Sequence, residues 1–166
     1  MGFDLQGHRG ARGLAPENTL EGFTVAAAIG VHTLELDVGM SGDGVVVVCH
    51  DRALRGDTTR GPGGTWLEQG PLLRSMTVAE IRRYDVGGIQ PGTRYAQRFP
   101  EQVPVSGARV PTLAEVLDWA GPNGEPPLRL NIELKTDPHH PGETVPPSEL
   151  ADAVLTEVRA AGLVDR

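Results

Sequence analysis

The 166 residues, 22% charged and 39% hydrophobic, amount to one globular domain with enough apolar content for a core. A formal net charge of −7 argues against a binding surface for nucleic acid or anionic membranes, and no apolar run approaches the roughly 20 residues of a stable membrane span. A single cysteine, Cys49, excludes an internal disulfide and fits a reducing compartment; with no basic-then-apolar leader at the N-terminus, a cytoplasmic protein is expected.

Phe3 to Gln6 is a short strand candidate, and Gly7-His8-Arg9-Gly10 follows at its C-terminal end. A lone histidine there would be structural, but histidine beside arginine at a strand end suits the handling of an anion. Asn18 is placed to cap a helix, with Glu21 three residues on and Gly30 as the stop; Glu17 and Glu21 then read as capping and surface charge. Thr33 to Val38 is a buried strand by its Leu34, Leu36 and Val38, yet it carries Glu35 and Asp37 on its other face. Two like charges side by side repel, and a hard divalent cation removes that cost by taking oxygen ligands. The competing reading is a pair of solvated acids on an edge strand.

Ser41 to Gly44 reads as a tight turn, and Val45 to Cys49 as a strand buried on both faces that ends in His50-Asp51. Residues 52–110 are too long for a crossover and are read as an insertion covering a site, with a helix candidate from Val78 to Tyr84 and a polar stretch from Gly87 to Ser106. Thr112 and Glu115 form a capping box opening a helix through Trp119. Leu128 to Leu134 is taken as a core strand, with Glu133 and Lys135 on one face; a surface Glu–Lys pair is the plainer alternative. The His139-His140 pair lies in a proline-rich loop and reads as solvated rather than metal-binding. A final helix runs from Pro147 to Ala161.

Four strand ends thus carry His8-Arg9, Glu35 with Asp37, His50, and Glu133 with Lys135. Convergence of chemistry at the C-terminal ends of parallel strands is how a (β/α)8 TIM barrel builds its site. The expected fold is α/β: a partial TIM barrel over residues 1–166, with four strands near 3–8, 33–38, 45–49 and 128–134, parallel and in the order 1-2-3-4. A closed barrel needs eight strands and typically ~250 residues, so a missing C-terminal half or a complementary chain is expected.

The segments His8-Arg9-Gly10, Pro16-Glu17-Asn18-Thr19, Glu35-x-Asp37, Asp43-Gly44 with His50-Asp51, and Asn131 to Lys135 resemble the glycerophosphodiester phosphodiesterases. Thr58-Thr59 and Val110 to Leu117 also look like that family's insertion and the helix after it. The resemblance implies hydrolysis of small glycerophosphodiesters to an alcohol and sn-glycerol 3-phosphate, within lipid and glycerol metabolism. It implies a Ca2+ or Mg2+ ion on Glu35, Asp37 and Glu133, an acid–base pair in His8 and His50, and phosphate contacts from Arg9 and Lys135. It further implies that the nucleophile is the substrate's own glycerol hydroxyl, which would give a cyclic phosphate that water then opens. Two alternatives stand beside it: a lipid phosphodiesterase of the phospholipase C or D kind on the same barrel, and a non-catalytic half-barrel fragment.

Overall fold

Strand β2, Thr33–Met40, is buried along its whole length, and the sheet is assembled on it. In the computed structural model, which describes residues 2–121 and 127–164, two strands run parallel to β2. β1, Gln6–Gly7, pairs with Thr33 and Leu34, and β4, Arg129–Leu134, pairs along six residues from Thr33 to Val38. β3, Val46–Val48, is antiparallel, with Val38 opposite Val48 and Met40 opposite Val46. Thr33 and Val38 each have a partner on both sides, so β4 lines one side of β2 while β1 and then β3 take successive parts of the other.

This corrects the expectation of four parallel strands in sequence order. Residues 41–45 form the whole link between β2 and β3, and a parallel return needs a dozen residues or more. A link that short closes a hairpin, with Ser41 Oγ accepting from the Val45 amide and Gly44 at φ 80°. β1 is also shorter than expected, because Phe3 (94% exposed) and Leu5 lie outside the core. β4 is half-buried rather than central: Leu130, Ile132 and Leu134 are partly covered, and among the described residues no strand pairs with its outer edge.

The core lies on one face of the sheet. Leu34, Leu36 and Val38 are fully buried there, against Phe23 and Ala26 of α1 (Leu20–Ile29), Val116 and Leu117 of the helix Leu113–Ala120, and Leu150 and Val154 of the helix Pro147–Ala160. Helix Leu113–Ala120 opens with the expected capping box of Thr112 and Glu115. For α1 the cap is Thr19, whose hydroxyl accepts from the Gly22 amide, and not Asn18.

Val47 faces the other way from Val46 and Val48. It joins Leu54, Leu73, Met76, Ile81 and Val110 in a second, smaller core beneath the segment 52–110. That segment holds a 3-10 turn at Leu73–Ser75, α2 at Val78–Ile81 and α3 at Arg94–Arg98. Helix α2 ends before the expected Tyr84. α3 lies within the stretch read as merely polar, because five residues with Tyr95 alone buried leave no periodic pattern to read. The two later helices, Leu113–Ala120 and Pro147–Ala160, are α4 and α5.

Candidate functional site

Alternation along β2 puts Glu35 and Asp37 on the face opposite the core, and the register sets Asp37 directly beside Glu133 of β4. One carboxylate oxygen from each of Glu35, Asp37 and Glu133 lies within 4.8 Å of the others. Lys135, one residue past β4, reaches back with Nζ 3.0 Å from Asp37 Oδ1 and 2.6 Å from Glu133 Oε1.

The turn after β1 closes over this face. Arg9 is buried and sits at φ 53°, a left-handed conformation costly for a long side chain, by about 1–3 kcal/mol. Four contacts hold it there. Its amide donates to Glu35 Oε2 (2.7 Å), and its carbonyl accepts from the Asn18 amide (3.0 Å). Its Nη1 donates to Glu17 Oε1 (3.0 Å), and its Nε lies 3.2 Å from Asp37 Oδ2. Gly10, at φ 83°, lets the turn lie against α1, where a Cβ would come within 2.9 Å of the Gly22 backbone. His8 stays at the rim, its side chain 63% exposed and its Nε2 3.8 Å from Glu35 Oε2.

His50 comes from the hairpin rather than from a parallel strand. β3 runs back to Val38, and His50 lies two residues beyond it, its Nδ1 2.8 Å from Asp51 Oδ1. It lines a small cavity with Glu17, Asn18, Asp51, Arg55 and Thr59. Six of the seven residues singled out from the sequence thus meet directly, and His50 stands on an adjoining wall. His140 is tied to Asp137 in its own loop (2.7 Å).

Two residues read from the sequence as caps or surface charge belong to the site. Glu17 is half-buried and binds Arg9, Arg12 and the Tyr95 hydroxyl. Asn18 donates to Asp37 Oδ2 (2.9 Å) and accepts from the Asp37 amide (3.3 Å), at φ 54°. Both lie in the Pro16-Glu17-Asn18-Thr19 motif, which was their only signal.

Burial shapes the acids differently. It pushes the Glu35 carboxyl up, the Arg9 amide opposes it, and the Asp37 charge adds to the rise. Burial acts on Asp37 the same way, but the Asn18 amide, Lys135 and Arg9 outweigh it and hold Asp37 below the usual carboxylate range. Burial would lower Lys135, yet Glu133 and Asp37 keep it above its ordinary value.

The donor set fits a hard divalent cation. Oxygens bound at up to about 2.6 Å to one ion can stand up to about 5.2 Å apart. Asp37 Oδ1 is buried beside the Lys135 ammonium, 3.0 Å away, and among the described residues no other donor reaches it.

Comparison with known proteins agrees. A glycerophosphoryl diester phosphodiesterase family model matches residues 8–162. A glycerophosphodiester phosphodiesterase of Bacillus subtilis is 34% identical over 137 residues, covering 81% of this chain and 41% of the relative. A Silicibacter pomeroyi crystal structure, assigned by name to the glycerophosphoryl diester phosphodiesterases, shares 45% identity at a TM-score of 0.88 over 95% of this chain and 54% of the other. An Oleispira antarctica phosphodiesterase, solved in complex with the product sn-glycerol-3-phosphate, shares 28% identity at a TM-score of 0.61, over 95% of this chain and 52% of the other. The chain therefore spans about half the length of these relatives. The matched span includes all seven site residues read from the sequence, and on that breadth the chain belongs to the glycerophosphoryl diester phosphodiesterase family.

Proposed function

We propose that this chain carries the metal-binding part of a hydrolase that splits glycerophosphodiesters into an alcohol and sn-glycerol 3-phosphate. The observation that carries the reading is the meeting of Glu35, Asp37 and Glu133 within 4.8 Å, from two neighbouring strands. The product bound in the Oleispira relative supports the substrate class.

Glu35, Asp37 and Glu133 would hold Ca2+ or Mg2+. The bound ion would offset the negative charge of the phosphodiester, which otherwise repels a nucleophile. Lys135 is partly exposed on the same face, and its ammonium can turn toward a phosphate oxygen as a mobile point charge. Arg9 adds a fixed positive charge beside Asp37 and is the second proposed phosphate contact. His8 and His50 share the proton transfers: one removes a proton from the attacking hydroxyl, and the other returns one to the leaving alkoxide. The Asp51 contact occupies His50 Nδ1 and leaves Nε2 for the substrate.

β1, β2 and β4 would form one wall of the (β/α)8 barrel, with segment 52–110 inserted over its rim. The outer edge of β4, free among the described residues, favours a second reading for the chain by itself, an inactive half that needs the remaining wall. Among the described residues no helix is long and apolar enough to cross a membrane. A cytoplasmic setting is part of the proposal and rests on the single cysteine.

The test is titration of Ca2+ and Mg2+ into the chain by calorimetry, followed by release of sn-glycerol 3-phosphate from a panel of glycerophosphodiesters with and without chelator. Saturable cation binding that Glu35→Gln removes is expected. No binding, or full turnover in excess EDTA, rejects the metal role.

A further inference from the structure

Beside the candidate site lies a cavity of about 590 Å3 whose lining is basic in an otherwise acidic protein. Its seven lining residues include Arg12, Arg55, Arg94 and Arg98, against the single carboxylate of Asp57. Two of the arginines are already balanced. Arg12 Nε lies 2.9 Å from Glu17, and Arg55 makes a two-pronged contact with Asp57 at 3.0 and 2.8 Å. Arg94 and Arg98 are exposed, one turn apart on α3, and among the described residues neither has a carboxylate partner.

The walls are held in place by aromatic rings. Arg12 stacks over Phe99 (4.5 Å) and Tyr95 (5.8 Å), and Arg55 over Tyr95 (5.2 Å). Tyr95 in turn donates to Glu17, the residue that grips Arg9. Arg55 lines both this cavity and the smaller one that contains His50. The basic cavity therefore adjoins the place where a leaving alcohol would depart. Its volume suits a polar group of several heavy atoms.

We infer that this cavity is the head-group subsite and receives a phosphate or carboxylate carried by the leaving alcohol. Guanidinium groups recognise such anions through paired N–H donors. A cationic head group such as choline meets the two uncompensated charges of Arg94 and Arg98 there and is disfavoured. The inference rests on the hydrolase reading above and narrows its substrates to those with an acidic head.

The test uses the full chain in EDTA, where the carboxylate cluster holds no cation and repels anions. Inorganic phosphate is the probe, followed by calorimetry. Saturable binding is expected, weakened roughly tenfold or more in Arg94→Gln/Arg98→Gln. It should change by no more than about twofold in Arg159→Gln, an exposed substitution on α5 outside the cavity. Choline should not bind. Unchanged phosphate affinity in the double arginine variant, or no saturable binding at all, overturns the subsite. Capture of the chain by phosphatidylglycerol vesicles, lost in that variant and without binding of soluble phosphate, also overturns it, since the patch would then face a membrane. Failure of the hydrolase reading shows separately, as absent cation binding while the phosphate titration stands.

Discussion

Asp37 is fully buried yet ionised more readily than a free aspartate, which requires donors on every side. Its stabilising contribution is present above the ordinary value of 3.8 and is lost as pH falls through the lowered one. Asn18→Ala removes one donor and leaves a buried oxygen unpaired, at a cost of about 1–3 kcal/mol. The acid-unfolding midpoint, followed by circular dichroism, should move to higher pH; an unchanged midpoint would deny Asn18 this role. Glu35 is the opposite case. Its carboxyl is pushed up, so its charge at neutral pH costs stability when no cation is bound. Glu35→Gln should leave the melting temperature in chelator unchanged or higher, yet abolish the rise that saturating Ca2+ or Mg2+ gives the parent chain, about 2.7 kcal/mol at a hundred times Kd. In any active assembly, His8→Ala and His50→Ala should each lower kcat by roughly 100-fold or more. Near-normal turnover would make that histidine structural. The acids were legible because strand alternation is a strict rule. Asn18 was not: Asn18 and Thr19 are both good caps, and only the tertiary bond to Asp37 assigns them different tasks.

Among elements, the β2–β3 hairpin marks where local reading and global expectation parted. The turn at Ser41–Gly44 was visible, and so was the buried valine run, but the barrel pattern suggested a parallel neighbour. Link length decides the matter, since five residues cannot carry a crossover. The helices were easier: the Thr112/Glu115 box and the apolar stripe of α5 are local signals that the packing keeps. Position in the sheet also grades stability. Leu36 is fully buried at the centre beneath the helices, and Leu36→Ala should cost about 2–5 kcal/mol in urea unfolding. Leu130→Ala, on half-covered β4, should cost clearly less. Equal losses would contradict a core centred on β2.

At the scale of the molecule, β4 presents, among the described residues, a free edge and partly bare leucines, where a sheet of this kind is normally continued. The chain alone should therefore turn over glycerophosphodiesters far more slowly than relatives twice its length. A monomer working at their rate would overturn the half-barrel reading. Segment 52–110 has its own small core, yet it is also bound to the sheet side through Tyr95 and Glu17. Glu17 touches the turn after β1 through Arg9, the approach to α1 through Arg12, and α3 through Tyr95. Pulling α3 away strands that carboxylate and loosens its grip on Arg9, whose backbone is already held under strain. In the language of amide exchange, α3 and the His8–Gly10 turn should open as one cooperative unit with a common protection factor, and Glu17→Gln should lower both together.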